Sequence, residues 1–289
     1  MVKSFVRASI EPMLIVAGII FISATSGLFK TQSLSFLTYW EELINVIKNL
    51  SAPQELVYTN PVSGEERDLF PIILLAFVNS GKIFFLALLL SIISSILMLI
   101  IYSSAGKIVK GIMKNVSLVL GALPDIFIIS ILQIFVIWFY KQSGILLVEV
   151  ASLGENQLIL FPAVVLSILP TFFFLESMIS FLKEEIHLSY VDLARSKGLA
   201  KYKILFVHMM RNIIISLIYH GKQIGWMMLS NLLILEYLFN VFGVTSFLFT
   251  YNEPSIFAVT AILLFLPIYT CLKSLQFYIS KKIGKAISL

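Results

Sequence analysis

The chain has 289 residues, of which 59% are hydrophobic and only 13% are charged, and its mean hydropathy is +0.97. A soluble domain usually carries about twice that charged fraction, so this composition excludes an ordinary soluble protein and is typical of a chain whose solvent is lipid. The formal charge of +5 arises from 21 basic and 16 acidic side chains. We attribute this excess to lysine and arginine in cytoplasmic loops rather than to nucleic-acid binding.

Six apolar segments are long enough, or nearly so, to cross a membrane as helices. A bilayer core needs roughly 20 apolar residues in helical conformation. The first segment follows Lys3 and Arg7 and has the layout of a signal peptide, but the several later spans favour a retained first helix. The fifth segment is the least apolar, because polar side chains interrupt it. The predicted spans are residues 10–28, 82–102, 117–140, 158–182, 213–235 and 255–275.

The charges between the predicted spans alternate along the chain. Every second link, beginning with the N-terminal segment, has an excess of lysine and arginine, and the links between them are acidic or poor in bases. Because basic residues are retained on the cytoplasmic side, this alternation places both termini in the cytoplasm. The basic links are the N-terminal segment, 103–116, 183–212 and the C-terminal tail, and the others are 29–70, 141–157 and 236–254.

The 29–70 segment is predicted to be an extracytoplasmic loop, too short to form a second domain. Its middle, residues 37–50, has apolar residues at helical spacing and predicts an amphipathic helix. We expect this helix to pack against the spans, and the alternative is a role in reading a ligand. The apolar positions are Leu37, Trp40, Leu43, Ile44 and Ile47.

The 183–212 link contains a predicted helix, a glycine bend and a second helix. The first helix is short and amphipathic, and Gly198 is placed to end it because glycine readily adopts the left-handed C-cap conformation. A basic helix then runs into the fifth span. Such a knob either docks a soluble partner or is an ordinary solvated loop. The short helix carries Tyr190, Leu193 and Ala194 on one side and Asp192 and Arg195 on the other.

The sequence of this knob, within residues 183–212, follows a known pattern. Asp192, Leu193 and Ala194 fall on the first three positions of a Glu-Ala-Ala pattern whose later glycine coincides with Gly198. The chain thereby resembles the EAA loop of ABC importer permeases, and it is most similar to the oligopeptide, dipeptide and nickel permeases. The positions that match the subfamily are Tyr190, Val191, Ala194, Lys197, Gly198 and Leu199, followed by His208, Arg211 and Asn212.

The resemblance extends over roughly residues 75–275, and it includes departures from the family pattern. Asp192 and Leu193 replace the glutamate and the first alanine, and Ser216 and Phe242 stand where the family usually has prolines. The Leu-Pro-Gly-Asp-Pro stretch that commonly follows the first span is missing. The weaker matches are Leu123, Pro124 and Phe127 near the third span, and Glu236, Phe239, Asn240 and Gly243 after the fifth.

The resemblance implies an all-α, polytopic membrane protein in which residues 1–289 form one permease domain of the cytoplasmic membrane. It further implies an ATP-driven, binding-protein-dependent importer of short peptides, or alternatively of nickel or a metal chelate. The implied partners are a homologous permease subunit, two cytoplasmic ATPases that hold the ATP and Mg, an extracytoplasmic substrate-binding protein and membrane lipid. The implied ATPase-coupling residues are Tyr190, Val191, Asp192, Ala194, Arg195, Lys197, Gly198 and Leu199.

Polar residues inside the fifth span predict a path for substrate. A lysine at membrane depth costs about 2.5–3.5 kcal/mol on insertion scales, so Lys222 is expected to face water or protein rather than lipid. His220 and Gln223 lie beside it, and Glu176 in the fourth span is a possible ion-pair partner. Lys222 either holds a peptide carboxylate, pairs with the partner subunit, or forms a structural ion pair. A proton relay through His220 is a more distant alternative.

No sequence motif points to catalysis. The chain has no phosphate-binding glycine loop, no His-Glu-x-x-His and no serine elbow, so ATP must be hydrolysed on a partner. His187 and His208 are not at metal-ligand spacing, Cys271 is the only cysteine, and Asp125 is read as structural at a helix start. We therefore expect no catalytic residue, metal site or cofactor in this chain. The rival classes are an intramembrane enzyme, which needs convergent polar residues at membrane depth, and a non-transporting scaffold.

Overall fold

The structure is a computed structural model that describes residues 2–29, 34–60, 63–152, 157–251 and 253–283, without the side chains of 2–9, 219–220, 275–276 and 279–283. The described residues are almost entirely helical. The α-helices are α1 (Val2–Ser23), α2 (Phe36–Ser51), α3 (Leu69–Ser104), α4 (Lys107–Ala122), α5 (Asp125–Ser143), α6 (Leu160–Glu185), α7 (Ser189–Ser196), α8 (Lys201–Lys203), α9 (Met210–Leu238), α10 (Val244–Thr250) and α11 (Pro254–Ile283). Shorter elements are 3₁₀-helices at Ala24–Phe29 and Pro53–Glu55, a π-helical turn at Ile204–Met209, and strands β1 (Val57–Thr59) and β2 (Glu66–Asp68).

Five of the described helices are long and apolar enough to cross a membrane. A sixth crossing is present if two helical segments that meet at 54° are counted as one bent span. The predicted all-α, polytopic membrane fold is therefore confirmed. The five segments are Ile10–Phe29, Leu69–Ser104, Asp125–Ser143, Leu160–Glu185 and Pro254–Ser274, and the bent pair is Lys201–Ile218 with Gly221–Leu238.

The predicted third span, 117–140, is broken in the structure. Helix α4 ends at Ala122 and α5 begins at Asp125. Leu123 between them is extended, with φ −82° and ψ 140°. The cause is Pro124, which has no N–H to donate and disfavours helical conformation in the residue before it. Sequence hydropathy does not register such a break, because both sides of it are apolar.

The second span lies in a longer helix than predicted. Helix α3 has 36 residues and is about 54 Å long, whereas the prediction covered only 82–102. Pro71 stands in its first turn, where a missing N–H removes no intrahelical hydrogen bond. Because a bilayer core is about 30 Å thick, α3 is longer than one perpendicular crossing needs.

The described chain divides into two compact units, the first from residues 1–81 and 241–274 and the second from 82–240 with the end of α11. In the first unit the hairpin, the start of α3, α10 and the start of α11 share an apolar core. Tyr58 pairs with Arg67 across the hairpin, and its ring packs edge-on against Phe247 at 5.9 Å between centroids. The buried members of this core are Leu56, Tyr58, Leu69, Ile73, Ala76, Phe247, Ile256 and Val259.

The amphipathic helix predicted over residues 37–50 is confirmed as α2, but the predicted apolar stripe is mostly not the packed face. Leu43 is buried, together with Val46. Val46 packs in a small cluster with Ile19 of α1 and with Ala258 and Ala261 of α11. The remaining members of the predicted stripe are exposed, and they are Leu37, Trp40, Ile44 and Ile47.

The turn between α1 and α2 requires a glycine. A Cβ atom at Gly27 would lie 2.8 Å from both the Glu42 Cγ atom and the Thr38 carbonyl oxygen. Thr38 Oγ1 donates a hydrogen bond to the Gly27 carbonyl oxygen at 2.6 Å. The Ser35 hydroxyl caps α2 by accepting from the Thr38 N–H at 3.5 Å. These contacts hold the first turns of α2 against the end of the first span.

The core of the second unit is formed mainly by α6 and α9, which pack along each other. Asp125, at the start of α5, accepts a hydrogen bond from the Asn231 side chain of α9. The buried residues of α6 include Leu166, Leu169, Phe174, Leu175 and Met178, and those of α9 include Ile213, Leu217, Met228, Leu229, Leu232 and Leu235.

An ion pair joins α1 to α11 within the first unit. Lys273 Nζ lies 2.6 Å from Glu11 Oε2, with the two side chains only 18% and 29% exposed. The Tyr269 hydroxyl donates a hydrogen bond to the same carboxylate oxygen. Because both charges are mostly removed from water, removing one partner of this pair costs more than it would in an exposed pair.

We expect Lys273→Met to destabilise the protein by about 1–3 kcal/mol, because it removes the cation from a partly buried carboxylate while keeping most of the apolar side chain. The measurement is the thermal unfolding midpoint in detergent. Lys141→Met, at an exposed lysine of α5, is the matched control. An equal midpoint for the two variants would contradict a stabilising role for the Glu11–Lys273 pair.

Candidate functional site

The knob between α6 and α9 is built around the short helix α7. Its C-terminus has the double hydrogen bond of a Schellman motif: Gly198 N–H donates to the Arg195 carbonyl at 2.9 Å, and Leu199 N–H donates to the Ala194 carbonyl at 3.3 Å. Gly198 has φ +71°, and no atom lies within 4 Å of where its Cβ would be. The predicted glycine cap is confirmed, and the requirement is conformational rather than steric.

Helix α7 has one packed face and one exposed face. Val191 and Ala194, three residues apart, are buried against the π-helical turn Ile204–Met209. Leu193, which the sequence pattern grouped with Ala194, is instead 57% exposed. That assignment was wrong because the helix rotates to pack its small Ala194 and β-branched Val191 closely, and this turns the larger leucine outward. The exposed face therefore has an apolar centre.

Charged residues surround Leu193 on the exposed face. Asp192 and Arg195 form an ion pair at 3.1 Å with both side chains about half exposed or more. Such a pair contributes little to stability, typically about 0.2–1 kcal/mol. Lys197 is also exposed, and Ser196 and Gly198 leave the backbone accessible at the tip. An apolar centre with a polar rim and little side-chain bulk is suited to insertion into a groove on another protein.

A carboxylate ties the base of α7 to two long helices. The Tyr190 hydroxyl of α7 donates a hydrogen bond to Glu185 Oε2 at the end of α6. Asn212 Nδ2, near the start of α9, donates to the same oxygen at 3.2 Å and approaches the Tyr190 hydroxyl at 3.4 Å. We call Glu185, Tyr190 and Asn212 the carboxylate junction. It connects α6, α7 and α9 at one point.

The junction keeps the tyrosine as a hydrogen-bond donor. Partial burial and the hydrogen bond to the Glu185 carboxylate raise the pKa of Tyr190 to about 12. The phenol therefore stays protonated at any physiological pH and continues to donate to the carboxylate. Hydrogen bonds to a charged acceptor are among the stronger ones in proteins, at about 1.5–3 kcal/mol.

The eight predicted coupling residues occupy different environments. Asp192, Arg195, Lys197 and Gly198 are exposed, Tyr190 and Leu199 are half-buried, and Val191 and Ala194 are buried. Only the first group is available to another protein without rearrangement. The coupling residues predicted from the sequence did not include Glu185 or Leu193. Glu185 acts through a hydrogen bond from Asn212, which is distant in sequence. The exposure of Leu193, in contrast, follows from the spacing of the buried Val191 and Ala194.

Three of the four predicted path residues, His220, Lys222 and Gln223, lie at the bend of the fifth span. The segments Lys201–Ile218 and Gly221–Leu238 meet there at 54°. Lys222 is half-buried and Gln223 is exposed. The side chain of His220 lies outside the part of the chain that the structure describes. The bend therefore coincides with the polar interruption that the sequence indicated.

The ion pair between Glu176 and Lys222, one of the alternatives that the sequence left open, is not formed among the described side chains. Glu176 is exposed and lies outside the buried face of α6 that carries Leu175 and Met178. The alternative in which Lys222 is neutralised by Glu176 within the bundle is therefore wrong for this structure. A helix has only one face toward each neighbour, and on α6 that face is apolar.

Irregular backbone beyond α9 is held by amide side chains. Gln133 Nε2 of α5 donates to the carbonyl oxygens of Val150 and Leu238, both at 3.1 Å. Asn240 has φ +50° and donates through Nδ2 to the Ser152 carbonyl at 3.1 Å. Asparagine tolerates this left-handed conformation better than most residues. Gln133 and Asn240 thus provide hydrogen bonds to backbone carbonyl groups at the end of α9 and outside regular helix.

No metal centre was found in the part of the chain with defined placement: no three histidine, cysteine or acidic side chains there are grouped to hold an ion. Cys271 is exposed and is not in a disulfide.

Comparison with known proteins gives one match and one negative result. The family model described as "Binding-protein-dependent transport system inner membrane component" matches residues 87–285, which is more than half of the chain. No curated protein matches the chain. The matched region contains the knob, the carboxylate junction and the bent fifth span. The chain therefore belongs to this family of ABC transporter permeases.

Proposed function

We propose that the chain belongs to the oligopeptide, dipeptide and nickel subfamily and imports short peptides across the cytoplasmic membrane. As a member of its family, it is a permease subunit of a binding-protein-dependent transporter that works with ATPase and substrate-binding partners. It forms the path with a homologous permease subunit, and two ATPases drive the cycle. The observation that carries this proposal is the glycine-capped helix α7, whose outward face is exposed and whose base joins two spans.

Docking of the ATPase is the first step of the proposed mechanism. Leu193 at 57% exposure enters an apolar pocket of the ATPase groove, and Arg195 and Lys197 contact its rim. The affinity then comes mainly from the buried apolar anchor and from shape, because exposed charges contribute little. Gly198 lets the partner approach the backbone, since nothing lies within 4 Å of its Cβ position.

Transmission of motion is the second step. When ATP binding closes the two ATPases, a displacement of α7 acts on α6 and α9 together, because Glu185, Tyr190 and Asn212 are hydrogen bonded at one point. The packing of Val191 and Ala194 on the π-helical turn adds a second connection to the fifth span. The substrate-binding protein delivers peptide on the outer side, and the path near Lys222 opens toward it.

Substrate recognition is assigned to the bend of the fifth span. Lys222 is half-buried and forms no ion pair with Glu176. A cation at this depth is costly unless an anion compensates it. The C-terminal carboxylate of a peptide supplies such an anion during transport. The rival ligand is a carboxylate of the partner permease subunit, and the rival cargo is nickel or a metal chelate.

Leu193→Arg and Gly198→Trp should each abolish co-purification of the ATPase subunits, because one removes the apolar anchor and the other adds bulk at a left-handed position. The measurement is the amount of ATPase retained on the tagged permease. Leu146→Arg is the matched control, since Leu146 is 56% exposed and lies in a link predicted to be extracytoplasmic. An ATPase complex that survives both knob changes would show that docking occurs elsewhere.

Tyr190→Phe should leave ATPase binding intact and lower the amount of substrate transported per ATP by about tenfold. It deletes one hydrogen bond to a carboxylate, for which about 1.5 kcal/mol corresponds to that factor. Both quantities are measured on the reconstituted importer. Tyr140→Phe, at an exposed tyrosine of α5, is the control. Unchanged coupling in Tyr190→Phe would show that the carboxylate junction has no part in transmission.

Lys222→Met should raise the KM for a peptide with a free C-terminus by about tenfold and leave the KM for the amidated peptide unchanged, because only the former has the carboxylate. Lys141→Met serves as the control. Equal effects on both peptides would exclude carboxylate recognition by Lys222, and failure of the two permease subunits to assemble would assign Lys222 to the subunit contact. Transport of Ni²⁺ but of no peptide would overturn the proposed cargo.

A further inference from the structure

Helix α2 divides into three faces when its residues are placed at about 100° per position. The first face is buried or half-buried against the spans and comprises Tyr39, Glu42, Leu43, Val46 and Leu50. The second is exposed and polar, and comprises Glu41, Asn45, Lys48 and Asn49. The third, which we call the apolar arc, covers about 100° between the other two and comprises Phe36, Leu37, Trp40, Ile44 and Ile47.

The apolar arc is strongly exposed for its composition. Phe36 and Leu37 are each 73% exposed, and Ile44 is 62% exposed. Five large apolar side chains on one continuous stripe are unusual on a surface that faces water. A helix with separate apolar and polar exposed faces is instead typical of the boundary between lipid and water.

Contacts of the buried face fix the depth of α2 relative to the spans. Val46 packs with Ala258 and Ala261, which lie four and seven residues into the span that begins at Pro254. At 1.5 Å per residue these positions are about 6 Å and 10 Å inside the end of that span. The polar face stays near the boundary, since Asn49 Nδ2 donates to the Ser255 hydroxyl at 2.8 Å.

From this depth and this three-way division we propose that α2 lies in the interfacial layer of the outer leaflet, with its apolar arc against the acyl chains of membrane lipid. The polar face is then directed to the headgroups and water. The first span also exposes apolar side chains near its end, at Phe21 and Ile22. Trp40 belongs to the residue types enriched at membrane interfaces.

This placement changes the expected role of the 29–70 segment. A soluble binding protein approaches from water and does not reach a face turned toward acyl chains. Among the described residues, the β-hairpin offers such a partner a water-exposed surface, where Glu66, Arg67 and Asp68 are all exposed. The proposal concerns α2 alone and does not depend on α7 docking an ATPase, so each is refuted by its own measurement.

The test is spin-label accessibility in the assembled importer, reconstituted in nanodiscs. The label cysteines are introduced into a Cys271→Ser variant of the chain, and the partner subunits carry no reactive cysteine. Labels are placed at Ile44→Cys on the apolar arc and at Asn45→Cys on the polar face, and collision with O₂ and with a water-soluble nickel chelate is measured. We expect the Ile44 label to collide at least threefold more with O₂ than with the chelate, and the Asn45 label to show the opposite preference.

Each other result overturns the proposal. Access of the nickel chelate to the Ile44 label places the arc in water. Low collision with both reagents places it under protein, and repeating the measurement without the binding protein separates that partner from the second permease subunit. A label at Asn45 that collides mainly with O₂ would show that the helix is fully embedded in lipid rather than interfacial. Retained transport activity in each labelled variant verifies that the fold is intact.

Discussion

In lipid every backbone N–H and carbonyl must be hydrogen bonded within the protein, and this constraint governs most of the architecture. It makes the crossings helical, and it assigns polar side chains to the places where helices stop. In the first unit, Asn79 donates to the Phe242 carbonyl at 3.0 Å and the Ser80 hydroxyl accepts from the Val244 N–H at 2.8 Å. In the second unit Gln133 serves two carbonyls. Such residues are structural, so a buried amide in this protein is weak evidence for a substrate path.

The sequence predicted what depends on local chemistry. Apolar length indicated the crossings, and a glycine after a short amphipathic helix indicated the left-handed cap that Gly198 forms at φ +71°. Helix rotation was not predictable, because two faces of α2 are apolar and only contacts with Ile19 and Ala258 select the buried one. The carboxylate junction was also missed, since Glu185 and Asn212 are 27 residues apart and no spacing rule brings them together. The break at Pro124 had a local signal that hydropathy outweighed.

The knob has two kinds of polar contact, an exposed ion pair and a shared carboxylate, and they differ in how much they stabilise it. The Asp192–Arg195 pair is exposed on both sides and adds little free energy, so it affects the approach of a partner more than the rigidity of the helix. The Glu185 carboxylate is shared by two donors from different elements, and its loss would leave α7 held by the packing of Val191 and Ala194 without this hydrogen-bonded point. In the proposed mechanism, binding and transmission are thus separable, because the exposed residues and the junction residues do not overlap.

Charged side chains of the spans are neutralised in two ways. Near the ends of the first and last spans, Glu11 and Lys273 neutralise each other at 2.6 Å, and Tyr269 adds a further donor, so this pair is complete within the chain. Lys222 has no such arrangement with the described side chains, although a half-buried lysine within a span is costly when no anion compensates it. A permease that presents a fixed anion to Lys222 would have to displace that anion before a substrate carboxylate could bind. Leaving the cation to be neutralised from outside the chain avoids this competition, which is why the bend of the fifth span, and not the Glu11–Lys273 pair, is the place to look for substrate.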